Sequence, residues 1–186
     1  MTAQRLVIGI SGASGIIYGV RLLELLKNTA IETHLILSKN AELTRAAETQ
    51  WSSKELRELA DVAYSPADFA AAISSGSYKT MGMIVAPCSM RSLAEIATGV
   101  TSNLLTRAAD VVLKERRRLV LMVRESPLNL THLENMLKVT QMGGIIAPPV
   151  PAFYNRPQTL DDIVNHAVGR VLDLFDVEVG SVRRWG

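Results

Sequence analysis

The sequence predicts a three-layer α/β fold, in which one parallel β-sheet lies between two layers of helices. Short runs of Val, Ile, Leu and Met alternate along the chain with segments of helical periodicity. Strands that are buried on both faces have this nearly continuous apolar composition. Because the 186 residues contain no internal repeat and no linker-like segment, they fit one doubly wound domain spanning residues 1–186.

The individual elements follow from these patterns. The predicted strands are Arg5–Ile10, Thr33–Leu37, Met81–Ala86, Leu119–Val123 and Gly144–Ala147. The predicted helices are Gly15–Lys27, Ala41–Glu48, Ser53–Leu59, Ser89–Ala97, Asn103–Arg116, Thr131–Met142 and Leu160–Phe175. The patterns Thr131-x-x-Glu134 and Thr159-x-x-Asp162 are typical of capping boxes, so the last two helices are predicted to begin there. The polar loop Ser74–Ser77 is predicted to be either a lid or a turn.

Composition excludes several classes of function. A formal charge of +2 and an aromatic content of 5% argue against a nucleic-acid-binding protein. One cysteine and three scattered histidines argue against a disulfide framework and against a metal site. The sequence contains no signal peptide and no apolar run that could span a bilayer, so we expect a cytoplasmic protein without membrane attachment.

A glycine-rich turn, Gly9–Gly15, follows the first strand and opens a helix. This order forms a phosphate cradle in many proteins, because glycines allow close approach and the helix start presents N–H groups to the anion. The spacing G-x-x-G-x-x-G differs from the dinucleotide fingerprint, and a tight connection without a ligand remains an equal alternative.

Segments with polar or aromatic side chains follow the remaining strands. In a doubly wound fold the carboxyl ends of the strands meet at the ligand-binding edge of the sheet. These segments are Ser38-Lys39, the segment from Pro87 to Ser92, Arg124-Glu125, and the stiff segment from Pro148 to Tyr154. A dinucleotide enzyme normally has Asp or Glu after the second strand, where this chain has Ser38. The sequence therefore favours a mononucleotide such as FMN over NAD.

Five motifs together resemble the UbiX/Pad-type flavin prenyltransferases. They are Ile10-Ser11-Gly12-Ala13-Ser14-Gly15, Pro87-Cys88-Ser89, Arg107-Ala108-Ala109-Asp110, Leu113-Lys114-Glu115-Arg116-Arg117 and Pro151-x-Phe153-Tyr154. The resemblance extends to Arg184-Trp185 near the end of the chain. It implies a flavodoxin-like fold and a homododecamer with active sites between subunits, in which the C-terminal helix and tail make oligomer contacts.

The implied reaction joins a dimethylallyl group, taken from dimethylallyl phosphate, to N5 and C6 of reduced FMN. The product, prenylated FMN, would serve a UbiD-type decarboxylase, and no metal is implied. The resemblance does not decide which decarboxylase uses the product, or whether a pyrophosphate can replace the monophosphate.

The resemblance also implies roles for individual residues. The implied FMN contacts are Gly12, Ala13, Ser14, Ser38, Ser89, Met90, Arg91, Ser92 and Arg124. The implied contacts to the prenyl phosphate are Lys114, Arg124, Glu125, Tyr154 and Arg170. The implied catalytic residues are Ser14, Glu48, Lys114, Glu125 and Tyr154, with Glu48 and Ser14 forming a polar pair beside the flavin.

Simpler structural roles stand beside these. Arg116-Arg117-Arg118 is typical of a solvated cluster that complements a helix end, and Cys88 of a small buried residue rather than a nucleophile. His34, His132 and His166 are predicted to be structural or exposed. Two alternative functions remain open, namely an FMN-dependent cysteine decarboxylase, whose Pro-x-Met-Asn signature is Pro-Ala-Phe-Tyr here, and a non-enzymatic flavin carrier.

Overall fold

One six-stranded parallel sheet organises the computed structural model, which describes residues 4–180. Arg184, Trp185 and the predicted oligomer tail lie outside the described residues. The strands are β1 Gln4–Ile10, β2 Ile31–Leu37, β3 Val62–Tyr64, β4 Gly82–Cys88, β5 Arg118–Val123 and β6 Ile145–Ile146. The helices are α1 Ile16–Leu26, α2 Lys39–Glu48, α3 Ser53–Glu58, α4 Met90–Thr98, α5 Leu104–Lys114, α6 Leu130–Gln141 and α7 Leu160–Asp173, with a 3₁₀ turn at Ala72–Ser74.

The strand order is β3-β2-β1-β4-β5-β6, and the direction of winding reverses between β1 and β4. All neighbouring strands pair in parallel. Without the short edge strand β3, the five strands predicted from sequence lie in the order 2-1-3-4-5 that flavodoxin-like sheets have. The predicted doubly wound, flavodoxin-like fold is therefore confirmed, and the switch point between β1 and β4 marks the expected ligand crevice.

Two hydrophobic cores cover the two faces of the sheet. Alternate residues of each strand point to opposite faces, so in β1 Ile8 joins one core and Val7 joins the other. The first core is closed by α1 and α7, through residues such as Val20 and Val168. The second core is closed by α4 and α5, through residues such as Leu93. Burial on both faces explains why the strands are almost continuously apolar.

Among the strands of residues 4–180, the edge strand β3 is the one that the sequence analysis missed. It has only three residues, which is too short for a periodic pattern to emerge. Its place beside β2 is fixed by Asp61, whose carboxylate accepts hydrogen bonds from the Thr33 N–H at 2.7 Å and from the Thr33 hydroxyl at 2.8 Å. The Thr33 hydroxyl oxygen in turn accepts the Asp61 N–H at 3.0 Å. The hydrogen bonds between Asp61 and Thr33 therefore set the pairing of β3 with β2.

The capping residues confirm one predicted helix start and correct another, and α5 ends earlier than predicted. The capping box at Thr159 and Asp162 is present at the start of α7. The box predicted at Thr131 is wrong, because Asn129 caps α6 and exchanges hydrogen bonds with His132. Helix α5 ends at Lys114 rather than at Arg116, whose φ of 57° is incompatible with a continuing helix.

The loop Ser74–Ser77 is held as a turn at the edge where the strands begin. Arg107 donates to the Ser74 carbonyl at 3.2 Å, and Arg117 donates to the carbonyls of Gly76 at 2.6 Å and Tyr78 at 2.8 Å. Arg117 is therefore a structural residue, and the prediction that it belongs to a solvated cluster is wrong. Helices of the described range include none that is long and apolar enough to cross a membrane.

Candidate functional site

A cavity of about 330 Å³ opens at the carboxyl edge of the sheet, beside the switch point between β1 and β4. The starts of α2, α4 and α5 all reach it, so three positive helix-dipole ends converge on one space. The lining residues are Gly12, Ser38, Lys39, Asn40, Pro66, Ala67, Phe69, Ser89, Arg91, Ser92, Glu95, Ser102 and Asn103.

Each of these helix starts carries a side-chain cap. The Ser38 hydroxyl accepts the Ala41 N–H at 3.1 Å, and the Ser89 hydroxyl accepts the Ser92 N–H at 3.2 Å. Asn103 caps α5 in the same manner. The side-chain cap accepts an N–H of the second or third helical residue. The other N–H groups of the first turn have no hydrogen-bond partner within the helix. Such a set of N–H groups is suited to binding a phosphate.

The floor of the cavity needs a glycine at position 12. A Cβ atom on Gly12 would lie 2.4 Å from the Cβ of Asn40, closer than two carbon atoms can approach. Beneath it, the buried Ser11 hydroxyl donates to the Pro87 carbonyl at 2.9 Å and accepts the Ser89 N–H at 2.7 Å. Ser11 thus fixes the loop after β1 against the loop after β4 and holds the two sides of the cavity together.

One acidic residue, Glu95, faces the same cavity. Its carboxylate pairs with Arg91 at 2.9 Å and accepts the Ser102 hydroxyl at 2.6 Å. Burial alone would raise the pKa of Glu95, but these hydrogen bonds outweigh it and hold the pKa below its ordinary value. The Arg91 side chain is therefore already engaged by a carboxylate, and the cation left at this end of the cavity is Lys39.

The start of α1 differs from the prediction for the glycine-rich turn. Its first N–H groups, those of Gly15 and Ile16, donate to the Glu48 carboxylate at 2.9 and 3.2 Å. Burial alone would raise the pKa of Glu48, but hydrogen bonds from the Ser14 side chain and these two N–H groups, with the charge of Arg124, lower it. The prediction that this helix start cradles a phosphate is wrong, because an ionised carboxylate occupies it. The predicted pairing of Glu48 with Ser14 is present.

Arg124 and Glu125 follow β5 at the same edge of the sheet. The Arg124 N–H donates to the Cys88 carbonyl at 3.1 Å, and its charge acts on both Glu48 and Tyr18. Burial raises the pKa of the Tyr18 hydroxyl more than Arg124 lowers it. Glu125 is exposed, accepts the N–H of Ser126 at 3.0 Å, and does not line the cavity. The chain thus carries a second polar cluster, beside the cavity, made of Ser14, Tyr18, Glu48 and Arg124.

Tyr154 contacts α7 at His166, one helical turn before Arg170. The Tyr154 hydroxyl is 3.2 Å from Nε2 of His166, and the two rings are perpendicular with centroids 5.5 Å apart. Arg170 follows one helical turn later and donates to the Asp173 carboxylate at 2.6 Å. His166 was predicted to be structural or exposed, and it is buried.

Lys114 is not brought to these residues within one chain. It ends α5 at the edge where the strands begin, in an ion pair with Glu115 beside Gly76. Arg124 lies beyond the far end of β5, whose six residues span about 20 Å. A site that contains both Lys114 and Arg124 therefore needs a second subunit.

The predicted FMN contacts divide into two groups. Those that line the cavity are Gly12, Ser38, Ser89, Arg91 and Ser92. The others adjoin the cavity, with Ala13, Ser14 and Arg124 in loops and turns and Met90 as the first residue of α4. The lining residues that sequence reasoning missed include Asn40, Phe69, Ser102 and Asn103. The segment with Phe69 follows β3, so missing that strand also concealed its strand-end loop.

Cysteine and metal chemistry find no support at this edge. Cys88 is fully buried, and burial raises the pKa of its thiol to about 12, which makes it unsuitable as a nucleophile. Between residues 4 and 180 there is no group of three His, Cys, Asp or Glu side chains that could hold a metal ion.

A doubly wound sheet with three capped helix starts around a cavity at its switch point defines a nucleotide-binding α/β protein. A flavoprotein family model matches residues 1–172. Flavin prenyltransferase UbiX of Neisseria meningitidis serogroup B is 59% identical over 182 residues, covering 98% of this chain and 96% of the relative. The chain belongs to the flavoprotein family and, within it, to the UbiX flavin prenyltransferases.

Solved structures agree with this placement. AnUbiX in complex with FMN and dimethylallyl pyrophosphate has a TM-score of 0.97 at 48% identity, covering 98% of this chain and 97% of that chain. A dodecameric FMN-dependent UbiX-like decarboxylase from Escherichia coli O157:H7 has a TM-score of 0.96 at 53% identity, covering 98% and 100%. The cysteine decarboxylase TvaF is similar at 17% identity with a TM-score of 0.63, covering 78% and 90%, a likeness that shows the fold alone.

Proposed function

We propose that this protein is a flavin prenyltransferase that joins the dimethylallyl group of dimethylallyl phosphate to N5 and C6 of reduced FMN. The observation that carries the proposal is the convergence of three helix starts on the switch-point cavity, in a chain of the UbiX family. The cysteine decarboxylase alternative rests on a fold shared at low identity.

The cavity fits the phosphate end of FMN. The N–H groups at the starts of α2 and α4 and the Lys39 side chain supply positive charge, and Gly12 leaves room for a close approach. Ser38 stands where a dinucleotide enzyme carries an acidic residue, which favours a mononucleotide. Ser14, Met90 and Arg124 would contact the remainder of FMN, and Pro66, Ala67 and Phe69 give the cavity an apolar wall.

The prenyl phosphate is assigned to a cationic group beside the flavin. Two of the cations, Arg124 and Arg170, come from one subunit, and the third is Lys114 of the partner subunit. They would neutralise the charge that develops on the phosphate as the C–O bond breaks and its electron pair departs with the phosphate. Tyr154 would donate a hydrogen bond to the same phosphate. Binding reduced FMN and the prenyl donor side by side in a water-poor space is itself a large contribution, about 7–11 kcal/mol in favourable cases.

Two carboxylates are assigned different roles, Glu125 in proton transfer and Glu48 in orienting the flavin. Bound reduced FMN supplies the nucleophilic ring nitrogen and ring carbon. Glu125 would take the proton that the flavin ring loses or would protonate the departing phosphate, a role that typically contributes about 10²–10⁴-fold. Glu48 is held ionised by its hydrogen bonds, so together with Ser14 it would orient a flavin N–H.

Assembly completes the site. Because Lys114 lies at the opposite edge of the sheet from Arg124, an active site that uses both must lie between subunits. The chain also exposes apolar side chains that an assembly would cover, among them Leu130, Leu133 and Leu137 on one face of α6. The dodecameric relative from E. coli supports an oligomeric assembly here. Within it we assign residues 1–186 to one domain and the C-terminal helix and tail to oligomer contacts.

The product would be used elsewhere in the cytoplasm. Prenylated FMN is a modified cofactor, so a second enzyme must accept it, and the family relationship points to a UbiD-type decarboxylase. We assign no direct contact surface for that partner.

Phosphate release tests this proposal. The oligomer is incubated anaerobically with reduced FMN and dimethylallyl phosphate, and inorganic phosphate is measured against reactions that lack either compound. Release that requires both compounds is expected. Release of CO₂ from a peptide with a C-terminal cysteine would support the decarboxylase alternative, and FMN binding without any release would support a flavin carrier.

A further inference from the structure

The contact between Tyr154 and His166 links a loop residue to a buried ring. Tyr154 lies in the loop between β6 and α7 and is about half exposed, whereas His166 on α7 is more than nine-tenths buried. Their polar atoms are 3.2 Å apart and their rings are perpendicular, so the pair is joined by both a hydrogen bond and an aromatic contact. The position of the Tyr154 hydroxyl is therefore set by α7.

The second ring nitrogen of His166 decides which atom carries the proton. Nδ1 is buried and has no hydrogen-bond partner among residues 4–180. Burial, and then the charge of Arg170, lower the pKa of His166, so the ring is neutral at neutral pH and carries one N–H. A buried N–H without an acceptor is costly, so this network assigns the proton to Nε2.

This tautomer fixes the direction of the Tyr154 hydroxyl. Nε2–H of His166 donates to the phenolic oxygen, and the O–H of Tyr154 then points away from the ring. Arg170 follows His166 by four residues, one turn further along α7, so the two side chains lie on the same face of the helix. The donor O–H and the guanidinium are the two groups on α7 and its loop that the proposed function assigns to the prenyl phosphate.

We propose that His166 is a positioning residue for the prenyl phosphate, acting through the Tyr154 hydroxyl, which it orients toward the phosphate bound by Arg170. This inference rests on the proposed function. His166 does not touch the substrate and takes no part in the transfer of the dimethylallyl group.

A double-mutant cycle tests the proposal. His166→Leu should raise KM for dimethylallyl phosphate about three- to tenfold, the effect of one hydrogen bond, with FMN affinity unchanged. In a Tyr154→Phe background the same change should raise KM by less than about twofold, because two residues that act through one bond are not additive. His166→Gln can still donate to Tyr154 and should stay within about twofold of the unmodified protein.

Two controls keep the outcomes distinct. His166→Phe, which fills the space without a donor, replaces the leucine variant if that variant does not fold. Val168→Ala loosens the packing of α7 against the first hydrophobic core, on a different face of the helix from His166, and should lower stability without changing KM. A KM increase that persists in full in the Tyr154→Phe background would overturn the positioning role, whereas absence of prenylated product from the unmodified protein would overturn the proposed function instead.

Discussion

The carboxylate of Glu48, the last residue of α2, accepts the N–H of Gly15 at 2.9 Å and so closes the start of α1. Gly15 has no side chain to cap its own helix, and its φ of 102° suits glycine. The residue that caps α1 is therefore supplied by a neighbouring helix. Because the Glu48 carboxylate already occupies the start of α1, we expect a bound anion at the starts of α2, α4 and α5, which line the cavity.

Removing this carboxylate should destabilise the fold. Glu48→Ala leaves the N–H groups of Gly15 and Ile16 without an acceptor, and loss of a helix cap typically costs about 0.5–2 kcal/mol. Chemical denaturation of the two proteins measures the difference. Glu58→Ala is the matched control, since Glu58 also ends a helix and makes an exposed ion pair with Lys54. Its effect should stay within about 0.5 kcal/mol. Equal losses from the two variants would refute the capping role.

The floor of the cavity gives a second prediction. Gly12→Ala places a methyl group against Asn40, so the loop must move and FMN affinity should fall at least about tenfold, as expected for an overpacked site. Fluorescence quenching of FMN measures the affinity. Asn40→Gly in the same protein removes the nearest atom and should restore part of the loss. Unchanged affinity in Gly12→Ala would place the FMN phosphate elsewhere.

Mixed oligomers test the position of Lys114. Lys114→Ala and Glu125→Gln should each slow product formation at least about tenfold, near the low end of acid–base and charge effects, while FMN still binds. If each site takes Lys114 from one subunit and Glu125 from another, co-assembled oligomers of the two variants contain some sites with both residues intact. Activity should then exceed that of either variant alone. Mixed oligomers no more active than the single variants would mean that the two residues do not act in one site between subunits.

Poor FMN binding by Glu125→Gln with normal turnover of bound FMN would mean that Glu125 only neutralises Arg124.

Buried histidine predicts how stability changes with pH. His34 is buried in β2 between the Glu32 carboxylate and the Tyr64 hydroxyl, each 2.9 Å away, and burial is the main cause of its lowered pKa. An unfolded chain protonates histidine near pH 6.5, so it binds more protons than the folded chain below that value. The contribution is therefore present above about pH 6.5 and is lost as pH falls through the lower folded-state pKa.

Denaturation at pH 7 and pH 5 measures this effect. The free energy of unfolding should fall between the two values, and His34→Gln should reduce the fall. Some of it should remain, because the pKa of His166 is lowered as well. The same pH dependence in His34→Gln and in the unmodified protein would contradict the assignment.

The sequence predicts the parts of the fold that repeat a pattern. All five predicted strands are present, because nearly continuous apolar runs are typical of strands buried on both faces of a sheet. The predicted helices are present because their buried faces follow the 3.6-residue period. β3 could not be found this way, since three residues carry no period and its pairing depends on Asp61 and Thr33. The cap on α6 was missed because a histidine at the third helical position completes it instead of the usual Glu or Gln.

The site divides in the same manner. Gly12, Ser38 and Ser89 could be predicted because they follow strands at the switch-point edge. The occupation of the α1 start by Glu48 could not, because it depends on a contact between residues more than 30 positions apart. The contact of Tyr154 with His166 is local in sequence, yet it depends on how the loop returns to α7. The place of Lys114 in the site could not be predicted from one chain, because Lys114 lies at the opposite edge of the sheet from Arg124.

The mass of the flavin after reaction tests the central claim most directly. The oligomer is incubated without oxygen with reduced FMN and dimethylallyl phosphate, the flavin is released by denaturation, and its mass is measured. A flavin heavier than reduced FMN by one dimethylallyl group less one hydrogen, formed together with an equal amount of inorganic phosphate, is the predicted result. Recovery of unmodified FMN from a protein that binds both compounds would contradict the assignment of this chain as a flavin prenyltransferase.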